Sequence, residues 1–324
     1  MLYPLKFTPI LKEKIWGGNK IKTILNKDFS PLPNCGESWE ISGIDNDSNK
    51  VSNGFLKGNT LSELVGVYMG DLVGEKVFDI YNEHFPLLIK FIDANSDLSV
   101  QVHPNDRLAA QLHGENGKTE MWYVLAADEQ AKINVGFTTP VNKEKLEHHI
   151  QSGTLEEILN YVSTKAGDVF YLPAGKVHAI GKGVLLAEIQ QTSDITYRLY
   201  DYNRKDKNGK LRPLHIEEAY QAIDYENNDN QPIRISPKKN KTQLLVRSPY
   251  FVTNLLFFDQ KVEKIYIETD SFVIYICVEG EALIGYDGGE ETISKGECVL
   301  MPAVIEEAVF IPNKSCRLLE IYLP

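Results

Sequence analysis

Short runs in which apolar and polar residues alternate recur along the whole chain. Within 96–104, Leu98, Val100 and Val102 fall on one side, and Ser99, Gln101 and His103 fall on the other. That period of two predicts a strand with one face against a core. The runs at 121–125, 169–173, 272–278, 297–302 and 317–323 read as strands in the same way, with Gly, Asn, Asp and Pro between them. Helical patterns are fewer. Thr60 followed three residues later by Glu63 is a capping box, and it opens a predicted helix over 60–74. The stretch 142–162 reads as two short helices broken near Ser152-Gly153, and 106–113 and 215–223 as two further short ones. The expectation is a mostly-β fold with inserted helices.

The segment 224–241 is polar, rich in Asn and twice interrupted by Pro. It reads as a linker or surface loop between a long N-terminal domain, 1–223, and a shorter C-terminal one, 242–324. The charged stretch 204–212, with Asn208-Gly209 inside it, reads as a solvated hairpin or loop.

Composition narrows the classes. Of 324 residues, 43% are hydrophobic and 24% charged, enough apolar material for a packed core and against a disordered chain. No run approaches the roughly 18 apolar residues of a membrane helix, and the first residues lack the compact apolar region of a secretory signal, so the expected location is the cytoplasm. The four cysteines, Cys35, Cys277, Cys298 and Cys316, form no CxxC pair. Lys plus Arg number 34 against 45 Asp plus Glu, a net charge of −11 that repels nucleic-acid backbones and anionic lipid. An anionic ligand would need a local cluster of basic side chains. No obligate protein partner is implied.

An internal echo adds a constraint. Gly167-x5-Pro173 and Gly296-x5-Pro302 share an acidic residue after the Gly and an apolar run before the Pro. Two strand-turn units of one kind imply a duplicated β fold. They then diverge: Gly175 and His178 of the first copy stand where the second has Val304 and Glu307. One active and one structural barrel are expected.

The first copy carries the chemistry. Period-two spacing puts Gln101 and His103 on one strand face, and Lys118, Glu120 and Trp122 on another; the motif GxxxxxPxGxxH brings in His178 after a tight turn. Two imidazoles and a carboxylate, His103, Glu120 and His178, suit one divalent transition metal per chain, with Gln101 as a neutral fourth oxygen. Such an open site can act as a Lewis acid on adjacent sugar oxygens. Lys118 should point into the same cavity, and Trp16 and Trp39 are candidate pocket walls. His84, His113, His148, His149 and His215 lack any such framework.

GxxxxxPxGxxH is similar to the second motif of the cupin superfamily, and QVH…E to its first. More closely, the chain resembles the class I mannose-6-phosphate isomerases of short bacterial type. The resemblance rests on Lys14-Ile-Trp16-Gly-Gly18, Gly36-Glu-Ser-Trp39-Glu-Ile-Ser42, Phe85-Pro-Leu-Leu-Ile-Lys90, Leu98 to Asp106, Gly117 to Tyr123, Pro173 to Gly181 and Gln190 to Arg198. It implies two cupin jelly-roll barrels with a small helical insertion, the second barrel without a metal site. It also implies a zinc enzyme that interconverts mannose 6-phosphate and fructose 6-phosphate through an enediol, its partner a small sugar phosphate. His103, Glu120 and His178 match the zinc ligands and Gln101 a ligand of some members. Arg198 matches the catalytic arginine, and Lys118 and Asp194 match polar pocket residues in proton transfer or substrate binding. Two His and one carboxylate also suit Fe(II), so a non-haem iron oxygenase is one alternative and a non-catalytic sugar-binding cupin another.

Overall fold

The computed structural model describes residues 2–205, 209–227 and 229–324. The chain is mostly β, and its strands pair antiparallel throughout. A six-stranded sheet runs in the order Val169–Leu172, Glu120–Ala127, Val184–Gln191, Leu87–Ala94, Glu37–Ile41, Ile10–Lys12. A five-stranded sheet runs Tyr197–Tyr200, Val100–Val102, His178–Ile180, Lys132–Phe137, Leu159–Ser163. Their facing sides share one core, in which Ile92, Trp122, Phe170 and Leu186 of the first sheet meet Ile133, Val135 and Ile180 of the second.

The other face of the six-stranded sheet is covered too. Ile89, Phe91, Met121, Tyr123 and Ile189 pack into a core with Leu255, Ile274, Ile276, Leu319 and Ile321 of a third, C-terminal sheet. Burial on both faces explains why Leu87–Ala94 and Val184–Gln191 are buried at every residue and show no clean alternation in sequence.

The C-terminal sheet is built around two long strands, Val273–Tyr286 and Glu307–Tyr322. Both run well past the apolar stretches that announce them. Their register shifts between Cys277 and Glu279 and again between Gly280 and Ala282, and each irregularity resets the alternation. The internal echo is present in the backbone: Gly167 and Gly296, at φ +89° and +88°, each turn the chain into a strand, Val169–Leu172 and Cys298–Met301.

The helix Leu61–Val73 begins at Thr60 with both capping-box hydrogen bonds made, and helices also form over Asp106–His113 and Ile216–Ala222. The stretch 142–162 departs from expectation. Its first half is the helix Lys143–Gln151, but Gly153 takes φ +70°, a single 3-10 turn follows at Leu155–Glu157, and Leu159–Ser163 is an edge strand. The Tyr-Val-Ser sequence there favours the strand that pairs with Lys132–Phe137.

Segment 224–241 is tied to the first unit. Ile233 exchanges backbone hydrogen bonds with Val169, Arg234 pairs with Asp168 at 2.8 Å, and the buried Lys176 ammonium is ringed by oxygens of Asn227, Asp229 and Asn230. Among the described residues no helix is long and apolar enough to cross a membrane.

Candidate metal centre and cleft

Three segments carry the three candidate ligands, and backbone hydrogen bonds stitch them together. Gly175 N–H donates to the His103 carbonyl (2.9 Å), Lys118 N–H to the Pro104 carbonyl (3.1 Å), and Ala174 N–H to Thr119 Oγ1 (3.2 Å). Gly175 makes the approach possible: it sits at φ +89°, and a side chain there would meet Asp224 at 2.9 Å.

The result is a compact cluster. One ligand atom each from His103, Glu120 and His178 lies within 4.8 Å of the others, and all three residues are buried. His103 Nε2 is 3.4 Å from Glu120 Oε2, and His178 Nε2 is 3.4 Å from Glu120 Oε1. Each ring is oriented from behind, because His103 Nδ1–H donates to the Ile195 carbonyl and His178 Nδ1–H to the Lys176 carbonyl, both at 2.8 Å. That fixes the tautomer with Nε2 as a lone-pair donor facing inward. Burial first, and the Lys118 ammonium next, hold His103 well below the usual imidazole range. Burial also pushes His178 down to about 4, against the opposing pull of its bond to the Lys176 carbonyl. Both rings are therefore neutral, as metal ligands must be.

The donor set fits a metal. His103 Nε2 and Glu120 Oε1 are buried without a hydrogen-bond partner, and Glu120 Oε2 is met by the Lys118 ammonium at 3.2 Å; a cation between the three side chains would satisfy the two orphaned atoms. Gln101 lies beside the cluster, its amide nitrogen 3.3 Å from His178 Nε2; a half-turn of the amide would present its oxygen instead.

A cleft of about 280 Å³ lies beside this cluster, lined by Gln101 and Lys118, which touch His178 and Glu120. His178, Gln101 and Arg198 are register partners on three adjacent strands, so the row leads from the cluster towards the opening. Lys118 Nζ is 3.2 Å from Glu120 Oε2. Burial would lower its pKa, but Glu120, Glu188 and Asp194 outweigh that and hold the ammonium above its usual value. Arg198 donates from Nε to Ser99 Oγ (3.3 Å) and from Nη1 to the Pro213 carbonyl (2.9 Å), and its backbone is clasped by His215. It is not held in an ion pair with Asp194 or Asp201; Asp201 is taken by Arg204 and Arg212. Asp194 stands exposed at the rim, 3.9 Å from Lys90 Nζ. Trp16 lines the cleft. Trp39 is buried beneath it, its indole N–H donated to Glu37 and Lys12 Nζ 3.4 Å above its ring.

The cleft also holds Lys14, Glu37, Lys90 and Glu188, to which sequence reasoning gave no role, and Arg212. Trp122, Glu188, Lys90 and Trp39 form one transverse row across four strands. Glu188 accepts the Trp122 indole N–H at 2.8 Å and faces Lys90 at 3.5 Å; burial first, and Glu120 second, raise its carboxyl above the usual range. The available signal was a single charge in each of two otherwise apolar runs, LLIKF and VLLAEI. Arg212 belongs to a stretch expected to be solvated, yet it lines the cleft; Lys207 of that stretch lies outside the described residues.

Comparison with known proteins agrees with this geometry. Residues 4–138 match the family described as phosphomannose isomerase type I, catalytic domain. Mannose-6-phosphate isomerase of Streptococcus mutans is 37% identical over 311 residues, 96% of each chain. The chain belongs to the type I phosphomannose isomerase family. Mannose-6-phosphate isomerase ManA of Bacillus subtilis is 46% identical over 229 residues, 68% of each chain. A crystal structure of the mannose 6-phosphate isomerase from Bacillus subtilis superposes with a TM-score of 0.86 at 32% identity, covering 99% of both chains. The fold of the family is therefore shared over the whole length, C-terminal sheet included.

Proposed function

We propose that this protein is a zinc-dependent aldose-ketose isomerase that interconverts mannose 6-phosphate and fructose 6-phosphate through an enediol. One observation carries the reading: a buried His103–Glu120–His178 donor set lies beside a cleft lined by Lys14, Lys90, Lys118, Arg198 and Arg212, in a chain of net charge −11. Cations gathered against the overall field suit a phosphosugar better than dioxygen, which sets the iron oxygenase aside.

His103, Glu120 and His178 would hold the zinc, with Gln101 as a fourth donor. When bound, the metal would supply a Lewis acid for adjacent sugar oxygens. The remaining work falls to the chain itself. Moving a proton between C1 and C2 needs a group that both accepts and returns it. Glu188 is assigned that part: it lines the cleft, burial and Glu120 raise its carboxyl above the usual range, and its Oε1 faces the Lys90 ammonium at 3.5 Å without a hydrogen bond. Lys118 and Lys90 place positive charge where the enediolate develops. Arg198 offers a planar guanidinium whose Nη2 is not engaged by Ser99 or Pro213, suited to bidentate contact with an enediolate or a phosphate. Arg212 and Lys14 extend the positive lining towards the rim, and Asp194 beside Lys90 is placed to meet a sugar hydroxyl.

A coupled assay of mannose 6-phosphate conversion, with and without chelator, tests this. Turnover should vanish with the metal, return with one zinc per chain, and be absent in His103→Ala and His178→Ala. Mannose should be a much poorer substrate than its 6-phosphate. Stoichiometric iron in protein not loaded artificially, or equal kcat/KM for the two sugars, would refute the corresponding part.

A further inference from the structure

Three residues that do not line the cleft form a hydrogen-bonded strut between the C-terminal sheet and the segment carrying Lys118 and Glu120. Tyr250 sits in the turn joining Lys241–Arg247 to Val252–Phe258. Its position is well fixed: Ser248 Oγ accepts from Tyr250 N–H (3.2 Å) and Phe251 N–H (3.1 Å), and the Phe251 ring is fully buried in the core shared with the six-stranded sheet. The Tyr250 hydroxyl reaches into the first unit and donates to Asp106 Oδ2 at 2.5 Å. The other oxygen, Asp106 Oδ1, accepts from Gly117 N–H (2.9 Å) and Gln191 Nε2 (3.0 Å). Gln191 in turn takes Thr119 N–H on its Oε1 at 2.8 Å, while its own N–H donates to the Thr119 carbonyl at 3.1 Å.

Two backbone amides on either side of Lys118, those of Gly117 and Thr119, are thus held by one carboxylate and one carboxamide. The packing allows little slack, because a Cβ on Gly117 would lie 2.5 Å from Asp106 N. Lys118 N–H is bonded to Pro104, next to His103, and Thr119 Oγ1 holds the turn that leads to His178. A shift of 117–119 would therefore be felt by Lys118 and by all three candidate ligands.

We infer that Tyr250 is a positioning residue: through Asp106 and Gln191, the C-terminal sheet sets the placement of Lys118 and Glu120 in the neighbouring unit. The inference rests on the isomerase reading only for its kinetic consequence. The strut would also give the C-terminal sheet a part in the reaction.

The test is Tyr250→Phe in the full chain, which removes one hydroxyl and keeps the ring. Amide hydrogen exchange at Gly117 and Thr119 should quicken about fivefold, the loss of a hydrogen bond worth about 1 kcal/mol. The kcat for mannose 6-phosphate should fall by a similar factor, with KM within about twofold and the thermal midpoint nearly unchanged. Asp106→Asn keeps an acceptor for Gly117 and Gln191 and can donate to the tyrosine oxygen, so it should retain most of the activity, whereas Asp106→Leu should not. Unchanged exchange at 117 and 119 in Tyr250→Phe would overturn the strut, and faster exchange with wild-type kcat would overturn its role in positioning. If the wild-type protein fails to isomerise, the proposed function falls, and the exchange measurement still decides whether the two units are coupled through Tyr250.

Discussion

Gly175 is where a single methyl group should do the most damage to the centre without touching a ligand. It holds φ +89°, a conformation that L side chains rarely adopt, and an added Cβ would lie 2.9 Å from both Cβ and N of Asp224 and 3.0 Å from the Ala222 carbonyl. Two of these three neighbours are backbone atoms and cannot swing aside. The strained dihedral costs about 1–3 kcal/mol, and forcing a methyl into a filled space adds about 1–3 kcal/mol. Gly175→Ala should therefore lose about 2–6 kcal/mol of stability. The chain relieves the clash by moving 174–176 away from 222–224, and that movement pulls on the Gly175 N–H bond to the His103 carbonyl and on the Lys176 carbonyl behind His178. Gly153→Ala is the control. Gly153 also has a positive φ, +70°, but nothing lies within 4 Å of its Cβ position, so only the dihedral cost applies. Denaturant midpoints of the metal-free proteins give the two stabilities without linkage to bound metal, and elemental analysis gives metal retention. Gly175→Ala should be the less stable by about 2 kcal/mol and should hold less than one metal per chain. Equal stability of the two variants, or full metal in Gly175→Ala, would show that the 222–224 segment leaves room for a methyl group.

Arg198→Ala should keep metal and fold but lose about 10²-fold or more in kcat/KM; Arg198→Lys should recover only part, because the planar fork is gone, and wild-type turnover in either would show that the guanidinium touches nothing that matters. Glu37 should contribute to acid stability: burial would raise its carboxyl, but Lys90, Lys14 and the Trp39 indole lower it to about 2 from 4.5. A depressed pKa contributes stability above the unfolded value that is lost as pH falls through the folded one, so roughly 3 kcal/mol should disappear between about pH 4.5 and pH 2. Glu37→Gln should narrow its gap from wild type over that window in unfolding titrations; a constant gap from pH 7 to pH 2.5 would contradict it.

The candidate metal centre was legible in the sequence because its chemistry rides on regular spacing. Period two places Gln101 and Glu120 on inward faces, His103 follows the first strand directly, and the turn glycine fixes the approach of His178. Lys90 and Glu188 escaped for the opposite reason. Their strands are covered on both faces, so alternation vanishes and a lone charge gives no hint of which side it faces. The cleft side is known only once the register pairs Glu188 with Lys90 and Trp122. Arg212 read as solvated because it ends a Lys- and Arg-rich stretch, and only the pairing with Asp201 shows it drawn in. The edge strand Leu159–Ser163 looked helical because the pairing that makes it a strand is remote in sequence.

The divergence of the second copy is more than the loss of ligands. Beneath the second turn Phe258, Tyr266, Tyr275, Ile284, Met301 and Phe310 share one packed core, and the pocket of about 530 Å³ that Val304 and Glu307 line includes no histidine. The polar atoms within it are satisfied among themselves, with Tyr266 and Tyr275 hydroxyls 2.7 Å apart, Tyr275 donating to Glu320 at 2.8 Å, and Asn254 and Lys264 completing the carboxylate. No donor there is left waiting for a cation, in contrast to His103 and Glu120. Glu307, which stands where the first copy has His178, is solvent-exposed, and Val304 beside it is exposed as well. Restoring the motif by Val304→Gly with Glu307→His should therefore create a surface imidazole and no site. Metal analysis of the double variant should give the same single equivalent as the wild type, with unchanged isomerase turnover. A second tightly held metal would show that the motif, and not the packing around it, decides which unit binds.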